Sequence, residues 1–501
     1  MAARQKLSDK EKAFFSLVSQ AVRANPFSEE RAAIDIEIAG LYPDTPYPDR
    51  IAAVINEVRK RITRLESNNR ADINHYSGKD KTILHNAILF DFFHLFLERF
   101  DAHIEDQVRA GDTPVRVAFA DKALAFLVNK GFDRDEAARY FSLAFQLRRT
   151  FYFIDRGLKG GSTGMINLKK GLWNNVFTNS LDIYNQYLWN RMEDFSTLIL
   201  GETGTGKGTV AAAIGRSGFI PFDTGKKTFQ ESFARSFVSI NLSQFPEALI
   251  ESELFGHKKG AFTGAVNDHK GVLDQSSPWG AIFLDEIGEV SIPVQIKLLK
   301  VLEERIFFPV GSHTPHRFEG RIIAATNRPV EEITEKRILR QDFFYRLCSD
   351  IIIVPPLRRR IKEDPAELKA LLSFTIERIL GKPSPDLVDL VQKAIDRHPG
   401  ADYHWPGNVR ELAQCVRRVL LNHNYAGLSR TETASAQTGL AGKLINGDMD
   451  ALNLTRWYCH LLYGHYGTYG EVARRTNLDR RTVKKYIAEW EKEGHPGFPS
   501  D

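Results

Sequence analysis

The stretch TLILGETGTGKGTVAAAIG, residues 197–215, constrains the fold more than any other part of the chain. Four apolar residues suited to a buried strand run into Gly201-Glu202-Thr203-Gly204-Thr205-Gly206-Lys207, and a small-residue helical pattern opening on Gly208-Thr209 follows at once. Glycines there let consecutive backbone N–H groups converge on phosphates. The helix N-terminus adds positive potential, and Lys207 supplies a point charge near the β and γ phosphates of a nucleotide. The usual loop of this kind places Ser or Thr directly after the lysine to hold Mg2+, but here Gly208 stands in that position and Thr209 comes one later. Gly208 in the first helical turns costs up to ~1 kcal/mol relative to alanine.

Such a loop belongs on a parallel sheet, and the central sequence supplies one. Short apolar runs, TLIL, FVSIN, AIFLDE, RIIAATN and DIIIVPP, alternate with helical patterns, which argues for parallel strands with helices on both faces. The strand AIFL ends in Asp285-Glu286, and acids at that edge face the nucleotide crevice. Asp285 suits magnesium; Glu286 suits orientation or activation of an attacking water.

At 501 residues the chain exceeds one hydrophobic core. Residues 1–160 read as helices: Ser8 to Glu11 has capping-box form, and Ile51, Val54, Ile55, Val58, Ile62 and Leu65 fall on one helical face. Further helical patterns cover roughly 80–109, 117–130 and 134–155. In the aromatic run LFDFFHLFLERF, Phe93, Phe96, Leu97 and Phe100 read as core, with a ligand pocket as the alternative. His75, His85, His94 and His103 are too far apart for a local metal motif. GLKGGSTGM then reads as a glycine-rich joint near 157–165, and residues 426–449, small and polar, as a flexible linker.

Lys and Arg outnumber Asp and Glu by 68 to 63, so the distribution of charge must decide whether nucleic acid is a partner. Between 470 and 487 six basic residues face two acids. There YGEVARRTNLDRRTVKKYIAEW places Val472 and Ala473 on the buried side of a first helix, Leu478 in a turn, and Val483 with Ile487 inside a second helix that Asp479 could cap. Arg480, Arg481, Thr482, Lys484 and Lys485 could reach bases or phosphates from it. Three widely spaced cysteines, with no signal-peptide pattern and no long apolar run, point to a cytoplasmic protein without a membrane span, disulfide framework or zinc site.

From about Gly161 to Val419 the chain resembles the AAA+ ATPase domain of bacterial enhancer-binding proteins, which activate RNA polymerase carrying sigma-54. GETGTGKG, ESELFGHKKGAFTGA, GAIFLDEIGE, AATNR, FFYRL, VPPLRRR and WPGNVREL stand in that family's order. The resemblance implies an α/β P-loop AAA+ core with a helical lid (161–425, lid about 356–425), an all-α regulatory domain (1–160), the linker, and a three-helix helix-turn-helix domain (450–492). It implies that Asn241 restrains Glu286, that Thr326 and Asn327 form the sensor I region, and that Arg410 is the sensor II arginine. Arg340 and Arg346 match the arginines presented to a neighbouring subunit's nucleotide, and the resemblance implies a homo-oligomeric, hexameric ring. GAFTGA, Gly260, Ala261, Phe262, Thr263, Gly264 and Ala265, matches the surface loop that engages sigma-54. The segment 215–237 is longer than usual and has no assigned role.

The expected function is thus ATP-dependent activation of sigma-54 RNA polymerase from enhancer DNA, with promoter opening as the product. A remodeller of another protein, and a DNA-binding repressor with an inactive ATPase domain, are the competing readings. The role of residues 1–160 is open: they could receive a small molecule, a nucleic acid or a protein as signal, or be purely structural.

Overall fold

A computed structural model describes residues 5–400, 402–422 and 450–492. The linker expected at 426–449 lies outside the described residues. The five apolar runs form one parallel sheet: β1 (Thr197–Leu200), β2 (Phe237–Asn241), β3 (Ala281–Asp285), β4 (Arg321–Thr326) and β5 (Asp350–Ile353). Their order across the sheet is β2-β3-β4-β1-β5. Register brings the business ends to one edge: Leu200, the last residue before the phosphate loop, pairs with Thr326, and Asp285 pairs with Asn241 and Ala325. β1 and β4 are buried along their whole length, as central strands covered on both faces must be. Helices Leu357–Glu363, Ala366–Leu380, Pro385–Arg397 and Asn408–Asn422 form the lid around Trp405, Leu372 and Val416.

The first part of the chain is helical, beginning with Asp9–Arg23, where both halves of the Ser8–Glu11 capping box are made. The pattern expected across 80–109 is two helices, Gly78–Leu95 and Leu97–Ala110, parted at Phe96. Phe96 and Phe100 are buried as expected, whereas Phe93 and Leu97 line a cavity. The last of these helices, Arg134–Gly157, opens on an Asp133–Glu136 capping box and ends against the parallel-sheet domain. Its Ile154 and Leu158 share one core with Ile199 of β1 and with Val210 and Ala211 of the helix after the phosphate loop.

The unassigned segment 215–237 now has a place. It carries a short hairpin, Phe222–Asp223 against Thr228–Phe229, whose rings enter the core of the N-terminal helices. Phe229 stacks on Phe145 with centroids 4.1 Å apart, and Ser142 Oγ accepts from the Phe222 N–H at 3.0 Å. The expected joint near 160 is likewise tied down. Glu367, buried and paired with Arg360 at 2.8 Å, accepts from the Ser162 N–H at 2.9 Å. A Cβ on Gly160 would fall 2.3 Å from the Glu367 carboxylate, so glycine is demanded there by close approach as well as by its φ of 127°. Residues Met1–Tyr425 accordingly form one compact unit, and the boundary expected at 160 falls inside it.

The second unit, taken by itself, contains helices Ala451–Tyr466, Tyr469–Thr476 and Arg480–Lys492 around Cys459, Leu462, Val472, Val483 and Ile487. Asp479 Oδ1 accepts from the Arg481 N–H at 2.8 Å, the expected cap. No helix among the described residues is long and apolar enough to cross a membrane.

Phe229→Ala removes the ring that joins the inserted hairpin to helix Arg134–Gly157. The expected loss is ~3–5 kcal/mol of local stability, read as a lower thermal unfolding midpoint together with faster amide exchange in that helix. Unchanged exchange there would mean that the hairpin does not brace it.

Candidate active site

β1 ends at Leu200 and the chain turns through residues 201–206 into helix Lys207–Gly215. Gly204 and Gly206 hold φ values of 81° and 104°, the region that glycine alone enters without strain. Thr205 Oγ1 donates to the Glu202 carbonyl at 2.8 Å and closes the turn. Lys207 folds back, its Nζ donating to the Gly201 carbonyl at 2.9 Å. Burial holds this ammonium's pKa below the ordinary lysine value, while Glu286 and Asp285 pull it the other way. A phosphate entering the loop would meet a partly desolvated cation, where charge acts more strongly than in water.

Asp285 closes β3, and Glu286 follows in a left-handed conformation with φ 56°. For a residue with a Cβ that setting costs on the order of 1 kcal/mol, and it turns Glu286 out of the strand direction. Glu286 Oε2 accepts from the Asn327 N–H at 3.4 Å, and Asn327 Nδ2 stands 3.4 Å from Thr203 Oγ1 in the phosphate loop. Thr326 is fully buried and its Oγ1 accepts from the Arg328 N–H. Asn241 lies beside Asp285 in register, with its Oδ1 accepting from the N–H and Oγ of Ser243. The loop, both acids and the 326–327 pair therefore meet at one sheet edge.

The lid closes on the same loop. The Arg410 N–H donates to the Gly204 carbonyl at 3.2 Å, and a Cβ on Gly204 would fall 2.2 Å from the Gly407 carbonyl oxygen. Two further residues act here that sequence reasoning passed over. Arg358 grips Glu202 with both terminal nitrogens, one of them 2.7 Å from Oε2, and Asn408 Nδ2 reaches the same oxygen at 3.2 Å. The Arg358 hydrogen bond, ahead of the Asn408 one, holds the Glu202 carboxyl below its ordinary pKa. VPPLRRR and WPGNVREL carried the signal as motifs, but nothing in their spacing said that both converge on Glu202.

Arg340 and Arg346 are held otherwise. Arg340 pairs with Asp342 at 2.7 Å on the surface, and Arg346 donates to the Leu302 carbonyl at 2.9 Å. Gly208 has open space around it, the nearest atom to a built Cβ being Phe283 Cε1 at 4.0 Å, while the Thr209 methyl lies 3.4 Å from a Cβ built on Gly157. Among the described residues no cluster of three or more His, Cys, Asp or Glu could hold a metal unaided. Asp285 beside the phosphate loop instead fits a hard cation shared with phosphate oxygens.

The loop 256–269 projects as a braced stem. His257 and His269 form an antiparallel bridge, Lys258 pairs with Asp268 at 2.8 Å, and the Gly260 N–H donates to the Ala265 carbonyl at 2.8 Å. Ala265 is buried, whereas Thr263 is exposed and Phe262 is 38% exposed, its ring edge-to-face with His257 at 4.9 Å. In the second unit Arg480, Arg481, Lys484 and Lys485 are exposed, Thr482 is half-buried, and Arg474 and Arg475 are both drawn to Glu471.

Two substitutions probe this geometry. Gly208→Ala meets no obstacle and should stabilise the protein by ~0.4–1 kcal/mol through the unfolded chain, seen in thermal melts; destabilisation would show that the backbone there needs glycine. Arg358→Ala frees Glu202 and loosens the lid from the loop. Because the pair is partly exposed, nucleotide affinity should fall only roughly fivefold, measured by titration calorimetry, and an unchanged affinity would remove the latch from nucleotide binding.

Residues 178–352 match the family described as the Sigma-54 interaction domain. Among the relatives, the DNA-binding transcriptional regulator NtrC of Azospirillum brasilense is 41% identical over 247 residues, 49% of this chain and 47% of that protein. The Nif-specific regulatory protein of Azotobacter vinelandii is 43% identical over 231 residues, 46% of this chain and 40% of that one. Regulatory protein AtoC of Escherichia coli (strain K12) is 34% identical over 298 residues, 59% of each. The chain thus spans about half the length of the curated relatives it matches. The segment that matches this family carries the strands of the parallel sheet from β1 into β5.

Proposed function

We propose that the protein is an ATP-driven activator that binds enhancer DNA and remodels sigma-54 RNA polymerase until the promoter opens. The observation that carries this reading is the meeting of Lys207, Asp285 and Glu286 at the sheet edge of a domain that also presents Phe262 and Thr263 at the end of a braced loop. Residues 201–209 bind the nucleotide, Lys207 neutralises phosphate charge, and Glu286 takes a proton from the attacking water. Asp285 holds magnesium, which supplies charge neutralisation at the phosphates when bound. Asn241 restrains Glu286, while Thr326 and Asn327 sense the phosphate from beside it and Arg410 senses it from the lid.

Among the described residues Arg340 is tethered to Asp342 and Arg346 to a backbone carbonyl, both displaceable partners, so they can complete a neighbour's site in a homohexameric ring. Loss of phosphate then alters the charge around Glu286, and the Gly260–Ala265 loop carries the movement to sigma-54. Arg480, Arg481, Thr482, Lys484 and Lys485 hold the DNA, a cytoplasmic task. Residues 1–160 act as the sensor, 161–425 as the motor, 426–449 as the linker and 450–492 as the enhancer binder.

Thr263→Ala and Phe262→Ala touch no phosphate, magnesium or water group. Both variants should hydrolyse ATP and bind enhancer DNA at near-normal rates and affinities, yet lose sigma-54-dependent promoter melting. Paired ATPase and melting assays on one preparation decide the matter, and near-normal melting by both variants would sink the coupling role. Arg346→Ala should cut hydrolysis roughly a thousandfold. Recovery of turnover on mixing it with Glu286→Ala subunits is the expected sign of a shared site; no recovery in rings shown to be mixed would refute it.

A further inference from the structure

The N-terminal helices, together with Trp173, Leu181, Asp182 and Asn185, line a cavity of about 470 Å³ that is partly open to solvent. That volume lies within the ~300–1,000 Å³ of small-molecule sites and is several times the ~150 Å³ void that stays dry and admits benzene. Its walls are apolar and aromatic, among them Ile51, Ile55, Leu89, Phe93, Leu97 and Phe151. The charged side chains on the wall already have internal counter-ions: Arg31 pairs with Asp35 at 2.8 Å, Arg148 with Asp101 at 2.5 Å and Asp182 with Arg23 at 2.7 Å. An ionised guest would therefore lose hydration and gain no unpaired charge, so the site favours an uncharged one.

His94, also on the wall, fixes the polarity of the contact it offers. Its Nδ1 lies 2.8 Å from the Phe90 carbonyl oxygen, which can only accept, so Nδ1 carries the proton. Burial pushes the ring's pKa down to about 3 and keeps it neutral. Nε2 is then an acceptor and calls for a donor on the guest.

The cavity also touches the motor. Leu143 belongs both to its wall and to the core that holds Ile199, Val210 and Ala211. Trp173, another wall residue, lies two positions before Asn175, whose Nδ2 donates to Asp350 of β5 at 2.6 Å and to Thr197 of β1 at 3.0 Å.

We propose that this cavity receives a compact, uncharged aromatic molecule bearing a hydroxyl or N–H donor, and that the motor reads its occupancy through helix Arg134–Gly157 and Trp173. The second half rests on the ATPase reading above; the first does not. Calorimetric titration of the full chain with 1-naphthol, naphthalene and 1-naphthoate tests the first half directly. Saturable one-to-one binding is expected, with 1-naphthol favoured over the other two by roughly fivefold or more. His94→Phe should erase the preference for 1-naphthol over naphthalene while both still bind. Leu89→Trp and Ala144→Phe, which fill the cavity from two different helices, should each abolish binding, with thermal melts confirming the fold. Unaltered binding in a folded filling variant, or absence of saturable binding by all three probes, overturns the site. For the second half, saturation with 1-naphthol should shift the ATPase rate at least twofold in the wild type and not in Leu89→Trp. A rate unmoved by saturation overturns the coupling, whereas a chain that hydrolyses no ATP with or without probe instead refutes the ATPase reading.

Discussion

The contact on which most of this structure depends is the packing of helix Arg134–Gly157 against the helix that follows the phosphate loop. Ile154 and Leu158 share one core with Val210 and Ala211, so the helix that follows the phosphate loop is packed partly from outside the sheet domain. Arg149 reinforces the junction. It is fully buried, its guanidinium donates to the Gly218 carbonyl, and it lies 4.9 Å and 5.3 Å over the rings of Phe145 and Phe233. Burial lowers its pKa to about 9, which still leaves it charged near neutrality. With its Nε and Nη1 lacking hydrogen-bond partners, the flanking rings provide the compensation that water would otherwise give.

At the sheet edge the same economy of contacts recurs. Glu286 adopts a strained left-handed backbone, and what it gains is a carboxylate turned toward Asn327 and, through Asn327, toward Thr203 of the phosphate loop. Glu202, on the other side of that loop, is bound to the lid by Arg358 and Asn408. One short turn thus feels both the strand that carries the acids and the helices that close over it. Hydrogen bonds therefore join all three.

How much of this was legible in the sequence follows from how local each feature is. The phosphate loop, the five strands, the acidic pair and the Asp479 cap are determined within a few residues, and the structure forms them where the sequence indicates. The Val54, Val58, Ile62 and Leu65 stripe is buried for the same reason, because a single helical period reports it. What escaped depends on pairings across long stretches of chain. Nothing near Phe222 or Phe229 says that they complete a core built by residues more than seventy positions earlier, and nothing in GLKGGSTGM reveals Glu367 as its partner. The aromatic run at 89–100 was half legible: the period separates buried from exposed faces, but a wall of a cavity and a wall of a solid core have the same periodicity.

The hairpin at 222–229 has a consequence for how the first unit can be divided. Two domains joined by a tether can be parted in the tether, each keeping its own surface. Here the chain that carries the sheet leaves it, contributes Phe222, Phe229 and Phe233 to the interior of the N-terminal helices, and returns to β2. Excising residues 1–160 would leave those rings facing water, and grafting other helices in their place would leave them without a socket. The N-terminal helices and the sheet domain can therefore be separated only if those three rings are repacked.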